Sequence, residues 1–375
     1  MNAEDVLASA VFHAADVSYS VPGYPVTDLA EKCGSEYTVN EKTALEYALG
    51  TSLTGRRAVV IVKNAGMNNL ADPLVSATYQ GIRGGVVIIA GDDIEVSGSQ
   101  TRQDSRFYGD AASVMVLEPD AGQLFLSVES AMKSSETYSR IVIIRVTPEV
   151  LHAEVSDFII PERKSGTGTL CPENLTMKGR CEYAENITAV MRANENYHNV
   201  IPDTFASRGH FRTLCHNCPY KPLFAILKKT LSDHNISAIS DTGCSLLSQN
   251  PLYGFSLANY GLGSSPAVAA KSTKVALTGD FAVLHSGLNA LIDIFEKGES
   301  LFCIVLQNRK MGMTGGQDCP DILPYLTCFH PSVAAADDIR LEKMIENGID
   351  EKNGLKILIV FGECPIGEKH ETITC

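Results

Sequence analysis

Short apolar segments alternate with helix-length segments in both halves of the chain, and this alternation constrains the fold more than any other feature. Continuous apolar runs of this length, rich in β-branched residues, are typical of strands buried on both faces of a parallel sheet. The sequence therefore predicts an α/β fold with two domains, each a mostly parallel sheet with helices on both faces. The segments are AVVIVKNAG (58–66), GGVVIIAGDD (84–93), RIVIIRVT (140–147), ISAISDTG (236–243), KVALTGD (274–280), LFCIVLQN (301–308) and LKILIVFG (355–362).

The two sets of strands are separated by a region of different composition. A chain of 375 residues is long for one core and sufficient for two. Residues 153–205 are richer in Lys, Arg, Asn and Glu and contain no apolar strand segment, and ERKSGTGTLCPENLTMKGR (162–180) is typical of a linker or an irregular excursion across the surface. We therefore expect a first domain at 1–152, a connector at 153–205 and a second domain at 206–375.

Charge and hydropathy exclude several classes of function. The formal net charge is −13 and no basic block is present, which argues against a nucleic-acid partner because such proteins need clustered Lys and Arg. No apolar segment approaches the roughly 18 to 20 residues that span a bilayer. The first residues lack the basic and apolar regions of a secretion signal. We expect a cytoplasmic protein with neither a membrane nor a nucleic-acid partner.

Polar side chains follow two strands of the second predicted sheet. Asp280 ends KVALTGD, Asn308 ends LFCIVLQN, and one helix-length segment separates them. If the strands are neighbours, both side chains lie at the carboxyl edge, where open α/β sheets bind ligands. Carboxylate and amide oxygens suit Mg²⁺, and a helix that starts after Asp280 would direct backbone N–H groups at a diphosphate. The alternative is that these are ordinary strand ends of any parallel α/β protein.

Eleven cysteines are many for a cytosolic chain, where clustered cysteines more often bind metal or do redox work than form disulfides. Four of them could converge near the same edge. Two form a C-x-x-C, and each of the other two lies beyond the end of a predicted strand. The C-x-x-C alone leaves zinc binding, disulfide exchange and iron–sulfur ligation open. Cys303, inside an apolar strand, is a core residue. The four are Cys215, Cys218, Cys244 and Cys364, whereas Cys171, Cys181, Cys319 and Cys328 have no predicted role.

Longer segments carry a family resemblance. GDFAVLHSGLNALI (279–292) followed by LQNRKMGMTGGQ (306–317) resembles the large subunit of indolepyruvate:ferredoxin oxidoreductases, within the 2-oxoacid:ferredoxin oxidoreductase superfamily. The Gly-Asp and the Asn at the two strand ends resemble the diphosphate-and-Mg²⁺ motif of thiamine diphosphate enzymes, although Phe281 stands where many of these enzymes carry a small residue. Segments of the first domain are similar to that family in the same order, namely SVPGYPVTD (20–28), TVNEKTALEYALG (38–50), KNAGMNNLADPLVSATYQGIRGG (63–85) and SQTRQDSRFYG (99–109).

The resemblance implies a thiamine diphosphate site with Mg²⁺. Gly279, Asp280, Asn308 and the backbone carbonyl of Lys310 would hold the metal and the diphosphate. Glu41, from the pyrimidine-binding first domain, would hydrogen-bond the aminopyrimidine ring and activate the cofactor. Alternatively, Glu41 is only a first-turn carboxylate that interacts favourably with the dipole of its helix. Glu46, one turn further on, is the competing candidate.

The resemblance also implies residues around the substrate. Thr27 would lie near the substrate carboxylate, Arg102 or Arg106 would counter its charge, and His285 would lie near the reacting carbon. Each of these residues also has a structural interpretation, as a turn-stabilising Thr, solvated arginines and a hydrogen-bonded helix histidine.

In family members with a proximal cluster, a C-x-x-C, a Gly-Cys-Ser and a late Cys-Pro bind one [4Fe–4S] cluster. The matching residues are Cys215, Cys218, Cys244 and Cys364. A structural zinc and free buried thiols are the alternatives. His216, between the paired cysteines, would tune or shield the cluster rather than bind it.

The activity implied is oxidative decarboxylation of a 2-oxoacid, with acyl transfer to coenzyme A and electrons delivered to ferredoxin or a partner subunit. A homodimer is expected, with a small second subunit possible. The resemblance covers 1–150 and 206–375 but not the family's extra middle domain or its ferredoxin-like tail, so we expect a shortened form. The competing hypotheses are a non-oxidative thiamine decarboxylase, acting for example on a sulfonated or phosphonated 2-oxoacid, and a degenerate subunit or redox scaffold without activity.

Overall fold

The computed structural model describes residues 2–156, 158–159, 161–171, 177–193, 210–351, 353–365 and 367–374. The chain divides into two compact units. The first unit contains Met1–Cys171 and Arg180–Asn199, and the second contains Pro172–Gly179 and Val200–Cys375.

In its described residues, the first unit is built on a six-stranded parallel sheet with the order β2-β1-β3-β4-β6-β5. The central strands are buried on both faces, as their continuous apolar sequences require. The strands are β1 Val17–Ser20, β2 Glu36–Tyr37, β3 Ala58–Lys63, β4 Val86–Gly91, β5 Met115–Leu117 and β6 Val142–Val146.

Helices cover both faces of this sheet. On one face, α1 and α7 pack over alternate strand residues such as Val59 and Val87. The intervening residues, among them Val60, are equally buried, and α3 packs against β1, β3 and β4. The helices are α1 Ala3–Ala14, α2 Thr27–Lys32, α3 Glu41–Leu53, α4 Gly66–Asn69, α5 Ala71–Gln80, α6 Phe107–Ala112, α7 Leu124–Tyr138, α8 Pro148–His152 and α9 Met177–Ala193.

The predicted connector belongs largely to the first unit. Residues 161–171 have no regular structure and lie along this unit, where the Gly168 N–H donates to the Arg83 carbonyl (2.8 Å) and the Cys171 N–H donates to the Gln80 carbonyl (2.7 Å). Helix α9 was not predicted, because its polar sequence lacks a continuous apolar segment. Tertiary packing holds it: the buried Arg140 guanidinium donates to Thr188 Oγ1 (2.7 Å). Residues 172–176 and 194–205 of the predicted connector lie outside the described residues.

The second unit is built on a parallel sheet with the order β13-β14-β10-β9-β8 across the described strands. It also contains two separate antiparallel pairs, β7–β15 and β11–β12. The strands are β7 His210–Cys215, β8 Ile239–Ser240, β9 Val275–Gly279, β10 Leu301–Gln307, β11 Lys310–Met311, β12 Gln317–Asp318, β13 Ser332–Ala335, β14 Leu355–Phe361 and β15 His370–Thr374.

Helices flank this second sheet, and an apolar core joins α10 and α15 to alternate residues of β9, β10 and β14. The helices are α10 Lys221–Asp233, α11 Ser265–Ala270, α12 Asp280–Ala282, α13 Leu288–Glu296, α14 Leu323–Leu326 and α15 Leu341–Asp350. The predicted α/β fold with two parallel sheets is confirmed. None of the helices in the described ranges is both long enough and apolar enough to cross a membrane.

Candidate functional site

The carboxyl edge of the second sheet brings Asp280 and Asn308 together. Strands β9 and β10 are neighbours, with Gly279 opposite Leu306, so the residues after both strands emerge side by side. Asp280 is buried and accepts hydrogen bonds from the backbone N–H groups of Phe281 (2.8 Å) and Arg309 (2.7 Å). The second of these bonds ties the start of α12 directly to the chain leaving β10.

The oxygens at this edge form a hard donor set. Burial raises the pKa of Asp280, although the backbone N–H groups that point at it act in the opposite direction. The Cys319 thiol also hydrogen-bonds this carboxyl group. Asn308 Oδ1 accepts from the Lys310 N–H (3.0 Å) and retains a second lone pair. A carboxylate, an amide oxygen and the Lys310 carbonyl are the kinds of ligand that Mg²⁺ takes, so these residues fit the ion implied by the family resemblance.

The helix after Asp280 changes its winding near the site. A π-helical turn, Val283–Gly287, lies between α12 and α13, and such turns occur frequently at functional sites. Gly263 has φ +83° and packs so closely that a Cβ there would lie 2.2 Å from Ser286 Oγ, so no larger residue fits. His285 is exposed on this turn, with Nδ1 3.3 Å from Ser286 Oγ.

A buried carboxylate that sequence reasoning missed organises the loops beside this turn. Asp241 follows β8 and accepts hydrogen bonds from the Gly263 N–H (2.6 Å), Ser265 Oγ (3.0 Å) and Thr278 Oγ1 (3.0 Å). Burial raises its pKa. The signal was present in ISAISD, where an Asp ends a strand as Asp280 does, but nothing in the sequence indicated what it would bind.

Gly312 marks the point where the cysteines meet the metal-ligand residues. A Cβ at this glycine would lie 3.6 Å from Sγ of both Cys244 and Cys364, and 3.8 Å from Nδ2 of Asn308. Two thiols and the candidate Mg²⁺ ligand Asn308 are therefore all neighbours of this one backbone position. Sequence reasoning did not identify Gly312, since MGMTGG carries no signal for such a contact.

The C-x-x-C completes this group of four thiols. Cys215 ends β7, and the Cys218 N–H donates to the Cys215 carbonyl (3.1 Å) in a tight turn. Burial raises the pKa of Cys218 to about 11 and that of Cys244 to about 12, and repulsion among the neighbouring thiolates adds to both shifts. The pKa values of Cys215 and Cys364 are raised mainly by burial as well.

Tyr220 connects the thiols to the metal-ligand edge. Its hydroxyl group lies 3.3 Å from the carbonyl oxygens of Val360 and Gly362, to which it donates, and the ring packs against Gly362. Burial raises the pKa of this hydroxyl, and the charges of Asp280 and three of the cysteines raise it further. The structure thus places Cys215, Cys218, Cys244 and Cys364 in one neighbourhood with Asp280.

Across the residues that the structure describes, no group of three or more His, Cys, Asp and Glu side chains is placed to hold a metal ion. The hard donor set at Asp280 contains only one such side chain, because its other oxygens belong to an amide and a backbone carbonyl. Cys303 is fully buried in β10, as predicted for a core residue.

Two histidines differ in their relation to the thiols. His370, which sequence reasoning did not single out, is paired with Cys215 across the β7–β15 ribbon, and its Nε2 lies 3.3 Å from Cys244 Sγ. Burial and the nearby Arg212 lower the pKa of His370. By contrast, His216 is 79% exposed, and its Nδ1 lies 3.3 Å from Glu371 Oε1.

The first unit carries Glu41 at the equivalent edge of its own sheet. Glu41 is the first residue of α3, where the Asn40 side chain caps the helix by accepting from the Thr43 N–H (2.8 Å). The Asn69 side-chain amide donates to Glu41 Oε2 (3.0 Å). A Cβ at Gly66 would lie 2.7 Å from Glu41 Cγ and 2.9 Å from Oε1, so Gly66 makes room for this carboxylate.

The competing candidate, Glu46, is committed to another role. It is buried in α3 and forms an ion pair with Lys42 (3.1 Å), which also binds Asp72 (2.6 Å). Lys42 therefore joins α3 to α5 through Asp72, and Glu46 balances its charge inside α3, whereas Glu41 remains partly accessible at the sheet edge.

Thr27 lies at the start of α2, beyond the end of β1, and is half-buried. The preceding loop is held tightly, because a Cβ at Gly91 would lie 2.6 Å from Val26 Cγ1. Thr27 and Glu41 thus both follow carboxyl ends of parallel strands of the first sheet.

The two candidate arginines are in different situations. Arg102 is exposed. Arg106 donates through Nε to Asp104 Oδ1 (2.9 Å), lies 3.6 Å from Glu118, and holds the pKa of Asp104 down to about 2. Arg102 is therefore accessible to a ligand, whereas Arg106 is paired with neighbouring carboxylates.

Comparisons with known proteins find similarity in the second unit. Residues 241–348, which run from the buried Asp241 past the Asp280–Asn308 edge, match the family model described as thiamine pyrophosphate enzyme, C-terminal TPP binding domain. The chain is similar to the indolepyruvate oxidoreductase subunit IorA of Archaeoglobus fulgidus, with 38% identity over 133 residues, or 32% of this chain and 21% of that protein. The IorA subunit of Methanothermobacter thermautotrophicus is 33% identical over 159 residues, or 40% of this chain and 26% of that protein.

Solved structures share the fold. A putative thiamin diphosphate-dependent enzyme from Mycobacterium smegmatis superposes with a TM-score of 0.64 at 13% identity, covering 97% of this chain and 100% of that one. Benzoylformate decarboxylase from Polynucleobacter necessarius gives 0.67 at 11% identity, covering 96% and 98%. The predicted resemblance to the indolepyruvate oxidoreductase large subunit is confirmed over the matched segments, which span about a quarter of those relatives' length.

Proposed function

We propose that this relative of IorA is a thiamine diphosphate-dependent 2-oxoacid oxidoreductase that carries a [4Fe–4S] cluster beside its diphosphate site. The observation that supports this most strongly is the position of Cys244: it lies with Cys364 and Asn308 beside Gly312, and it is close enough to Cys215, Cys218 and Asp280 for their charges to raise its pKa. A thiamine enzyme that only decarboxylates does not need such a group.

The diphosphate half of the site would be formed by the edge of the second sheet. Asp280, Asn308 and the Lys310 carbonyl would hold Mg²⁺, and Gly279 would leave room for the diphosphate, since a Cβ there would have no atom within 4 Å. When bound, thiamine diphosphate supplies the carbon chemistry that cleaves the bond next to a carbonyl group. The protein's contribution is to bind and orient the cofactor and to hold protons where they are needed.

Glu41 would hold the proton that activates the cofactor ring. Asn69 and Gly66 fix the direction of its carboxylate, and the Asn69 hydrogen bond leaves Oε1 available to a ligand. Thr27 and Arg102 would orient the substrate carboxylate. Arg106 would contribute only if it left Asp104, and His285 lies exposed on the π-helical turn near the start of α12.

The four cysteines fit a cluster better than an ion. A [4Fe–4S] cluster binds each cysteine at a different iron, so the sulfur atoms need not converge on one point, in agreement with the absence of a single-ion site among the described residues. Burial and mutual repulsion disfavour four free thiolates here, and a metal centre removes that penalty because it binds thiols in deprotonated form. Such a cluster would supply a one-electron acceptor.

The same proposal includes the acyl acceptor, the electron acceptor, the cellular location and the assembly of the enzyme. Coenzyme A would receive the acyl group, ferredoxin or a partner subunit would receive the electrons, and the enzyme would act in the cytoplasm as a homodimer, with or without a small second subunit. The 2-oxoacid is left open, because no residue described above distinguishes aryl from aliphatic side chains.

The deciding experiment measures iron, sulfide and EPR signals of anaerobically purified protein, before and after adding thiamine diphosphate, Mg²⁺ and a panel of 2-oxoacids. We expect about four irons per chain and an EPR signal that appears with a 2-oxoacid. Cys218→Ser should lose the iron, whereas Cys328→Ser, which changes an exposed cysteine, should retain it. Folded, iron-free wild-type protein that releases CO₂ and aldehyde would instead identify a non-oxidative decarboxylase.

A further inference from the structure

His370 lies beside the four thiols without being one of the predicted ligands. Its Nε2 is 3.3 Å from Cys244 Sγ, which is within range of an N–H···S hydrogen bond. Cys244 follows β8, and His370 is located 126 residues later in the chain. The contact therefore exists only because the fold brings the last described strand back to the cysteines.

The backbone fixes the position of this histidine. In the antiparallel β7–β15 ribbon, His370 pairs with Cys215, the first cysteine of the C-x-x-C. The ribbon is irregular between His370 and Thr372, and such an irregularity redirects the side chain next to it. His370 is thus attached to one cysteine through strand pairing and contacts a second through its ring.

Two acidic residues beside the ribbon bind groups other than this ring. Glu371 binds His216 and Lys221, and Glu368 accepts from the side chain and backbone of Asn217. These carboxylates are committed to the C-x-x-C turn and to the start of α10. Within the described ranges, the His370 ring has its hydrogen-bond contact with the Cys244 sulfur.

We propose that His370 is a positioning residue that donates an N–H···S hydrogen bond to Cys244 and thereby raises the reduction potential of the metal–sulfur group bound there. This inference rests on the proposed function. Hydrogen bonds to ligand sulfurs are among the factors that set iron–sulfur potentials, because they stabilise the more negative reduced state. His216 is exposed and turned towards Glu371, so the histidine inside the C-x-x-C does not have this role.

The test is a redox titration of the anaerobically isolated full chain, followed by EPR, with iron counted in each sample. His370→Leu removes the donor, His370→Gln restores an N–H group at similar reach, and His216→Leu is the matched histidine control. We expect a lower midpoint potential in His370→Leu with wild-type iron content, recovery towards the wild-type value in His370→Gln, and no change in His216→Leu. Pulsed EPR should also show a ¹⁴N coupling in wild type that is lost in His370→Leu but not in His216→Leu.

Other outcomes separate the two proposals. Wild-type iron content with the same potential in His370→Leu as in wild type would overturn the role of His370 and leave the cluster intact. Loss of iron in both His370 variants would also overturn it, since the residue would then be needed for assembly and not for tuning. Folded wild-type protein without iron would overturn the proposed function itself.

Discussion

The two sheets have similar edges that hold their carboxylates in different ways. In the first unit, Glu41 lies partly exposed at the start of a helix, positioned by a side-chain amide from Asn69 and by the space that Gly66 leaves. In the second unit, Asp280 is buried and held by two backbone N–H groups, with thiols nearby. One carboxylate is oriented yet accessible, and the other is locked in place.

This difference matches the work proposed for each group. A carboxylate that exchanges a proton with a ligand must be accessible, and its orientation has to be set by groups that do not consume both of its oxygens. A metal ligand benefits from burial and rigid backbone donors, because hydrogen bonds to the ligand orient it towards the ion. The first edge is therefore suited to proton handling and the second to cofactor retention.

The largest expected effect separates chemistry from binding at the first edge. Glu41→Gln should slow hydrogen–deuterium exchange at the thiazolium C2 of bound thiamine diphosphate by about 10²- to 10⁴-fold, the usual contribution of a positioned acid or base. NMR measures this exchange without the natural substrate. Affinity for the cofactor, measured by calorimetry, should change much less. Unchanged exchange would remove Glu41 from the catalytic role.

The reverse pattern is expected at the second edge. Asp280→Asn should weaken binding of thiamine diphosphate with Mg²⁺ by at least about 100-fold, because an outer-shell residue alone typically contributes 10- to 100-fold. Asn has the same size and keeps one of the two acceptor oxygens, so we expect a folded variant, which circular dichroism checks. Asp318→Asn is the control, as Asp318 is 88% exposed in the same loop and pairs with Lys310. Equal calorimetric affinity in both variants would contradict the metal-ligand role.

A smaller effect tests whether orientation matters at the first edge. Gly66→Ala places a Cβ within 3 Å of the Glu41 carboxylate and should displace it. We expect a loss of about 10- to 100-fold in the same exchange assay, since misplacement by 1 Å can cost about 100-fold. Gly122→Ala, in the same unit with no atom within 4 Å of its Cβ, should behave as wild type. Exchange at the wild-type rate in Gly66→Ala would show that the function of the carboxylate tolerates its displacement.

The smallest effect concerns stability and not activity. Glu46→Gln removes one charge of a buried ion pair but leaves Lys42 bound to Asp72. We expect the free energy of unfolding to fall by about 1–3 kcal/mol, measured by urea denaturation, while exchange in the folded protein stays at the wild-type rate. If Glu46→Gln instead slowed exchange as much as Glu41→Gln, the two glutamates would have been assigned in the wrong order.

The residues at the carboxyl edge of the second sheet could largely be predicted from the sequence, whereas helix α9 and the partners of the arginines could not. Asp280 and Asn308 each end an apolar segment, and neighbouring parallel strands must deliver such residues to one edge. The helix α9 was missed because a polar sequence forms a stable helix only when tertiary contacts such as those of Arg140 hold it. Arg106 could not be separated from Arg102, since Asp104 stands two residues from each and only the loop conformation decides which of them it binds.

The sequence by itself determined the two parallel sheets and the strand ends that carry Asp280 and Asn308. These features depend on local patterns, because burial of a continuous apolar segment and the residue at its end are properties of the segment itself. The assignment of Glu41 to the cofactor and of the four cysteines to a cluster came from the family resemblance. Only the tertiary structure decided that Cys244, Cys364 and Asn308 all lie beside Gly312 and that His370 contacts Cys244. Those contacts join segments far apart in the chain, and their geometry is set by strand register and packing that no local pattern encodes.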